Sequence, residues 1–242
     1  MFNVLSIGKS GLKANQYKMD GLADELANVT TESYKKRDTS FKELLLDQDV
    51  NLGVKSQGSK VNFSQGNLTE STSPYHMGID GDGFFGVRDN NDNLLLTRNG
   101  AFLRGVDNNL RNSKGQGLDM EYFKELSEWE GADITISSDG TIIDSLSKDP
   151  LARVKLYMPG NLASLKSLGD SNFQVSDPLN LIEQGENPDI FGAIKQNHLE
   201  GSNADLSRAM IEMITTQRAY SLNASTIQST DDLMRLINEI KR

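Results

Sequence analysis

The residues that could do chemistry are few and scattered. Histidine occurs twice, as His76 within Pro74-Tyr75-His76-Met77-Gly78 and as His198. The two fall in different predicted sections without a second histidine beside either. Both therefore read as ordinary structural or exposed side chains, not as a metal pair. The chain has no cysteine, which excludes a thiolate nucleophile, a cysteine zinc site and a disulfide scaffold. It has neither a Gly-x-Ser-x-Gly elbow nor a phosphate loop ending in Gly-Lys-Ser/Thr. Gly81-Asp82-Gly83-Phe84-Phe85-Gly86 matches Gly-x-Gly-x-x-Gly. A strand is expected after it, however, so no helix N-terminus stands ready for a phosphate, and the glycines read as a turn and strand entry.

Two acidic clusters have the look of calcium sites. Asp89, Asn91 and Asn93 show the first three spacings of an EF-hand loop, but Leu94 and Gly100 occupy the positions that need Gly and Glu. Asp80 and Asp82 lie one residue apart near a turn. Both clusters are ordinary turn chemistry for Asp and Asn. Hydrolysis by paired carboxylates stays open, because 34 acids offer many accidental pairs and no particular two are singled out. No catalytic residue, cofactor or metal is expected.

The elements that would position any site come in three sections. The 242 residues allow one large domain or two smaller ones. Hydrophobic residues make up 36% and the mean hydropathy is -0.48, so core-forming residues are lean. No stretch approaches 18 consecutive apolar residues, and the N-terminus lacks the pattern of a cleavable signal. The net charge of -9 is concentrated in residues 47–194, which carry -10, while both ends are nearly neutral. An acidic middle argues against a nucleic-acid partner, which needs clustered Lys and Arg.

Met1 to about Val29 reads as a helix. Leu5, Leu12, Met19 and Leu26 recur every seven residues, with Leu22 and Val29 as companions, a heptad-type seam. Gly8 and Asn15 stand at companion positions as faults in it. The C-terminus repeats the theme from about Asn203 to Ile240. There Leu206, Met213, Tyr220, Ile227 and Met234 keep the seven-residue spacing, with Met210, Gln217 and Ala224 as companions. Ser202 and Asp205 have the form of a capping box. The seams fit either a helical hairpin within a monomer or burial against other subunits.

The middle reads as β-structure. Asn99-Gly100 between Leu94–Arg98 and Ala101–Leu103 is a hairpin signal, and so is Asp139-Gly140 between Ile134–Ile136 and Thr141–Ile143. Phe84–Val87 leads into a loop at Asp89–Asn93, and Arg153–Tyr157 alternates polar and apolar. The expected fold is α+β, in which discontinuous N- and C-terminal helices form a coiled-coil-like pair around an inserted β-rich domain of hairpins. Residues 1–46 and 195–242 would form the helical domain and 47–194 the β-rich one.

Three blocks, in order, resemble the bacterial flagellar rod and hook family of axial proteins. The first runs from Ser10-Gly11-Leu12 through Leu22-Ala23-Asp24-Glu25-Leu26-Ala27-Asn28-Val29-Thr30-Thr31 to Tyr34-Lys35. Asp24-Glu25 replaces the family's Asn pair, and Ser33 stands where Gly is usual. The second comprises Gln65-Gly66-Asn67-Leu68, Gly81-Asp82-Gly83-Phe84-Phe85 and Thr97-Arg98-Asn99-Gly100-Ala101-Phe102. The third is Leu199-Glu200-Gly201-Ser202-Asn203 with Gln217-Arg218-Ala219-Tyr220. The length resembles a rod member more than a hook member, and the second and third blocks look more like distal than proximal rod members.

The resemblance implies a structural subunit of the basal-body rod, polymerising into a helical tube that transmits torque from motor to hook. Its contacts would be Leu5, Leu12, Met19, Leu22, Leu26, Val29, Leu206, Met210, Met213, Tyr220, Ile227 and Met234. Its partners would be other copies of itself, neighbouring rod and hook proteins and the flagellar type III export apparatus, with no nucleic acid and no small-molecule substrate. It would lie in the flagellar basal body, spanning the envelope outside the cytoplasmic membrane, exported without a cleavable signal. The alternatives are a hook-type protein of the same family, a surface adhesin with a β-head on a coiled-coil stalk, and an acidic or metal-dependent hydrolase.

Overall fold

A computed structural model describes residues 2–45, 51–89, 91–125, 129, 134–175, 180–185 and 187–240. The expected domain boundary between residues 46 and 47 lies outside them. The chain divides into two compact units of mixed origin. The helical unit gathers Met1–Val29, Lys36–Asn62 and Ala204–Arg242; the β unit gathers Thr30–Lys35 and Phe63–Asn203. Two long helices and many short strands make the fold α+β.

In the helical unit, α1 spans Phe2–Ala27 and α2 spans Leu206–Ile240. The end of α1, expected near Val29, falls two residues earlier. There the Asn28 side chain donates to the Asp24 carbonyl at 2.9 Å and supplies a stop signal. The start of α2 differs from the expected capping box. Asp205 is itself the cap: its Oδ1 accepts from the Arg208 backbone N–H at 3.1 Å, satisfying a donor that the first turn leaves free.

The helices run antiparallel. Gly8 lies against Ile227, Gly11 against Asn223, and the Lys18 ammonium is 3.4 Å from the Glu212 carboxylate. A hairpin of β1 (Arg37–Leu45) and β2 (Asn51–Val61) completes this unit, with Arg37 opposite Val61. Strand β2 packs on α1, where the Ser10 hydroxyl accepts from the Val54 N–H at 3.1 Å. Gly53, at φ +111°, lets the strand approach so closely that any Cβ there would run into Ser10.

The β unit is built on the strand Phe84–Arg88, which pairs antiparallel with 94–97 on one edge and with 117–118 and 156–157 on the other. Its two phenylalanines point to opposite faces, as successive strand residues must. Phe85 meets Phe102 edge-on at 5.6 Å, whereas Phe84 joins Phe63 and Phe173 in a separate aromatic cluster. This strand is buried on both faces, which explains why Phe-Phe-Gly-Val shows no alternation. The main core adds Met77, Ile79, Val87, Leu110, Trp129 and Ile142, all essentially out of contact with water. A second sheet orders 120–122, 150–154, 141–144 and 134–136. Two-stranded pairs join 77–80 to 193–196 and 68–70 to 198–200.

The hairpin at Asp139-Gly140 forms as expected, with Ile136 opposite Ile142 across a four-residue turn in which Gly140 has φ +86°. The Phe84–Asn93 reading also holds, because 84–88 and 94–97 are hairpin partners. The hairpin expected at Asn99-Gly100 does not form. Strand 94–97 pairs with 84–88 and 172–173, and strand 103–104 pairs with 110–111. Gly100 instead crosses the backbone of Met77, whose N–H donates to the Gly100 carbonyl at 3.0 Å. A Cβ at Gly100 would collide with the Met77 carbonyl oxygen, so close crossing, not turn formation, demands the glycine. Arg153–Tyr157 is likewise not one strand: 150–154 and 156–159 belong to different sheets and part at Lys155.

Candidate functional site

The helical unit leaves much of α2 uncovered. Its only fully buried side chains among the described residues are Ala209 and Thr216, seven residues apart. These continue through Asn223, opposite Gly11, so a row of small and polar groups faces α1 alongside Ile227. The heptad companions expected at Met210, Gln217 and Ala224 are therefore displaced by one residue to Ala209, Thr216 and Asn223. The reason is close approach. Gly8, which reads as a fault in an apolar seam, admits Ile227, and Gly11 admits Asn223; a Cβ on Gly8 would sit 2.9 Å from Ile227 Cγ1.

Of the twelve side chains singled out from the sequence, Leu22 is buried within the helical unit. Leu5, Leu12, Met19, Leu26, Val29, Met213, Ile227 and Met234 are half-buried, and Leu206, Met210 and Tyr220 are exposed. The exposed apolar surface extends beyond these to Ile211, Ile214 and Leu222, which the heptads missed, and to Leu233, Leu236 and Ile240, which widen the apolar face near the helix end. All six face water, with Leu222 at 69% and Ile240 at 84% exposure. Over 35 residues, roughly 50 Å of helix, such side chains occur around much of the circumference. One partner helix cannot cover them.

A cavity of about 180 Å³ opens between α1, α2 and the start of β1. Lys18, Glu25, Lys36, Arg37, Asp38, Arg208 and Glu212 line it. Arg208 Nε lies 3.2 Å from Glu212 and, with Lys18, holds that carboxyl below its usual range. Burial pushes the Glu25 carboxyl up, Lys36 opposes the shift, and Glu212 and Asp38 add to it. Lys18 and Arg208 pair with Glu212, and Lys36 lies 4.0 Å from Asp38.

A buried polar cluster lies in the β unit, on residues that the sequence marked mainly as parts of blocks. Glu200 is completely buried, and the side chains of Lys35 and Arg98 are 1% and 3% exposed. Lys35 Nζ donates to Glu200 Oε1 at 2.5 Å and to the Ser64 carbonyl at 2.8 Å. The Gly66 N–H donates to the same carboxylate oxygen at 2.9 Å. Arg98 faces the other oxygen at 3.6 Å, an ion pair without a hydrogen bond. Arg98 also donates to the Gly81 carbonyl at 2.8 Å and lies over the Phe84 ring at 5.2 Å. Burial draws both cations below their usual ranges, and Glu200 opposes it in each case. Ser33 closes the cluster: its N–H donates to the Glu200 carbonyl and its hydroxyl to the Arg98 carbonyl, each at 2.8 Å. Spacing could not have found this site, because its members stand far apart in the chain. The one available signal was that Ser33, Lys35, Gly66, Arg98 and Glu200 all fall inside recognisable blocks.

The remaining chemical candidates resolve into ordinary structure. His76 Nδ1 lies 2.6 Å from the Ser71 hydroxyl, and His198 Nδ1 lies 2.8 Å from the Gln196 carbonyl. Gly81 and Gly83, at φ +117° and +125°, turn the chain into strand 84–88. Asp89 and Asn93 bond to each other through the backbone of a tight loop, and Asp80 pairs with Lys195 at 2.7 Å. Among the described residues, no three His, Asp or Glu side chains gather as a metal site.

Comparison with known proteins places these features in context. Residues 195–240 match the family model "Flagellar basal body rod FlgEFG protein C-terminal". Residues 78–144 match "Flagellar hook protein FlgE/F/G D1 domain". The chain is 27% identical to the flagellar basal-body rod protein FlgG of Agrobacterium fabrum, over 97% of this chain and 98% of that one. It is 27% identical to FlgG of Bacillus subtilis and 28% identical to the flagellar hook-basal body complex protein FlhP of the same organism, each over the full length of both chains.

Proposed function

Because this chain belongs to the flagellar rod and hook family of axial proteins, we infer that it is a structural subunit of the basal-body rod. The observation that carries the reading is the uncovered apolar length of α2, in a chain that aligns end to end with rod proteins. Each large apolar side chain removed from water contributes roughly 1.5–3 kcal/mol, so a helix of this length holds most of the affinity a polymer contact needs. A head-to-tail contact whose rotation does not close gives an open helical filament. In this reading α1 and α2 form a coiled-coil-like pair that carries contacts between subunits. Leu206, Met210 and Tyr220 are already free for neighbours. Leu5, Leu12, Met19, Leu22, Leu26, Val29, Met213, Ile227 and Met234 serve where the helices meet. The family is structural, and the subunit acts by assembly, not by turnover.

Its partners are further copies of itself and the neighbouring rod and hook proteins, and the flagellar type III apparatus delivers it to the basal body. Electron microscopy of basal bodies from a strain lacking the chain, beside its complemented parent, tests the reading. Rods that stop short, without hook or filament, are expected, and the stub length gives the position along the rod. Complete rods and hooks in the deletion strain overturn it.

A further inference from the structure

The chain passes between its two units four times, at residues 29–30, 35–36, 62–63 and 203–204. Each passage is anchored inside the β unit within a few residues, and all four anchors meet at Glu200. Ser33 follows the first passage, and its N–H donates to the Glu200 carbonyl. Lys35 precedes the second, and its ammonium holds the Glu200 carboxylate. Ser64 and Gly66 follow the third, the one accepting from Lys35 and the other donating to Glu200. Glu200 itself precedes the fourth, where the Asn203 N–H donates to the Tyr34 carbonyl at 3.2 Å and its side chain to the Ser64 carbonyl at 3.0 Å. Residues 30–35 are a six-residue excursion into the β unit from a segment that otherwise belongs to the helical one. Their buried polar contributions are Ser33 and Lys35.

We propose that Glu200 is the positioning residue that makes the four passages a single mechanical junction, so that load arriving along any one of them is shared by all. This deepens the rod reading and rests on it for its purpose. The physics is that of a buried carboxylate. Its charge is balanced by Lys35 and Arg98 and its Oε1 by the Gly66 N–H, so withdrawing any one leaves the others unpaired in a dry site. Four separate anchors would give way one at a time. Here Lys35 and Gly66 hold the buried carboxylate itself, while Ser33 and Asn203 bond to backbone carbonyls beside it, so the four are coupled through one residue.

Hydrogen exchange on the purified full chain tests this without reference to the flagellum, so its failure is distinct from failure to restore rods. In Glu200→Gln the amides of Ser33, Gly66 and Asn203 are expected to exchange faster together, by roughly tenfold or more, the factor that 1.4 kcal/mol represents. Amides of the central strand at Phe85 and Val87 should keep their wild-type rates. Glu200→Asp keeps the charge but withdraws it by one methylene, and the same three amides should speed up by a smaller common factor. That milder variant keeps the test intact should the first fail to fold. A change confined to Gly66, the only one of the three amides bonded to the carboxylate, overturns the proposal. So does equal acceleration of Phe85 and Val87 in the folded Asp variant, which would make Glu200 a general stabiliser of the unit.

Discussion

Ser33 sits at φ +54° with its hydroxyl donating to the Arg98 carbonyl across 65 residues of sequence. The backbone there is the left-handed kind that favours glycine. Serine is therefore held against its preference, and the hydroxyl bond supplies the compensation. Ser33→Ala keeps the strain and strips the buried Arg98 carbonyl of this donor, so it should destabilise by about 1–3 kcal/mol. Ser33→Gly loses the same bond but relieves the strain, and should fall between alanine and wild type. Urea unfolding of the three chains decides the matter, and equal midpoints for alanine and glycine would refute the account.

The contact of Gly8 with Ile227 makes a second prediction. Gly8→Val forces side-chain atoms into a gap that already brings a bare Cβ to 2.9 Å, so it should cost about 1–3 kcal/mol through overpacking. Ile227→Ala should cost less in the Gly8→Val background than alone, because the space it vacates is the space valine needs. Thermal melts followed by far-ultraviolet circular dichroism report the coupling. Strict additivity would mean that the helices do not meet at these residues.

Exposed apolar residues on α2 should separate folding from assembly. Leu222→Asp and Ile211→Asp replace side chains that make little of the monomer's core, so unfolding free energies should stay within about 0.5 kcal/mol of wild type. Polymerisation should be lost, because a carboxylate buried against a neighbour finds no partner. Sedimentation and electron microscopy of the variants, beside complementation of the deletion strain, measure both halves. Normal rods from either variant would remove that position from the assembly surface.

The Glu25 carboxyl carries a pH signature. Its folded value is raised, chiefly by burial, so ionisation at neutral pH works against the folded helical unit. That handicap fades as pH falls through the raised folded value toward the ordinary carboxylate range. Glu212 acts in the opposite sense: its lowered value contributes stability at neutral pH that is lost as pH falls through that value. Glu25→Gln should thus be more stable than wild type at pH 7, with the difference shrinking on acidification. A glutamine variant less stable than wild type at pH 7 would show that Lys36 dominates instead.

Much of the architecture was legible because its signals are local. Seven-residue spacing located both helices, and Asp139-Gly140 located a true hairpin, since turn chemistry acts over four residues. The failures share a cause. Asn99-Gly100 carries the same local signal, but its glycine answers to Met77, a residue 23 positions earlier, and no local rule sees that contact. Gly8 looked like damage to a heptad because its partner, Ile227, lies at the other end of the chain. Glu200 was invisible as a site for the same reason. A glutamate before a helix reads as surface, and only the fold supplies Lys35 and Arg98 to bury it.

The bond from Ser33 to Glu200 also sets a timetable. These residues are 167 positions apart, so the excursion of residues 30–35 cannot be secured until nearly the whole chain is present. Contacts of such long range are reached slowly, because closing the loop costs entropy before any bond repays it. Until then α1 lacks the later residues of α2 that pack against it, and a lone helix of its length is marginal in water. A growing or extended chain therefore carries the helical surface proposed for assembly in an unfinished state. The last fifth of the sequence acts as the key that completes it.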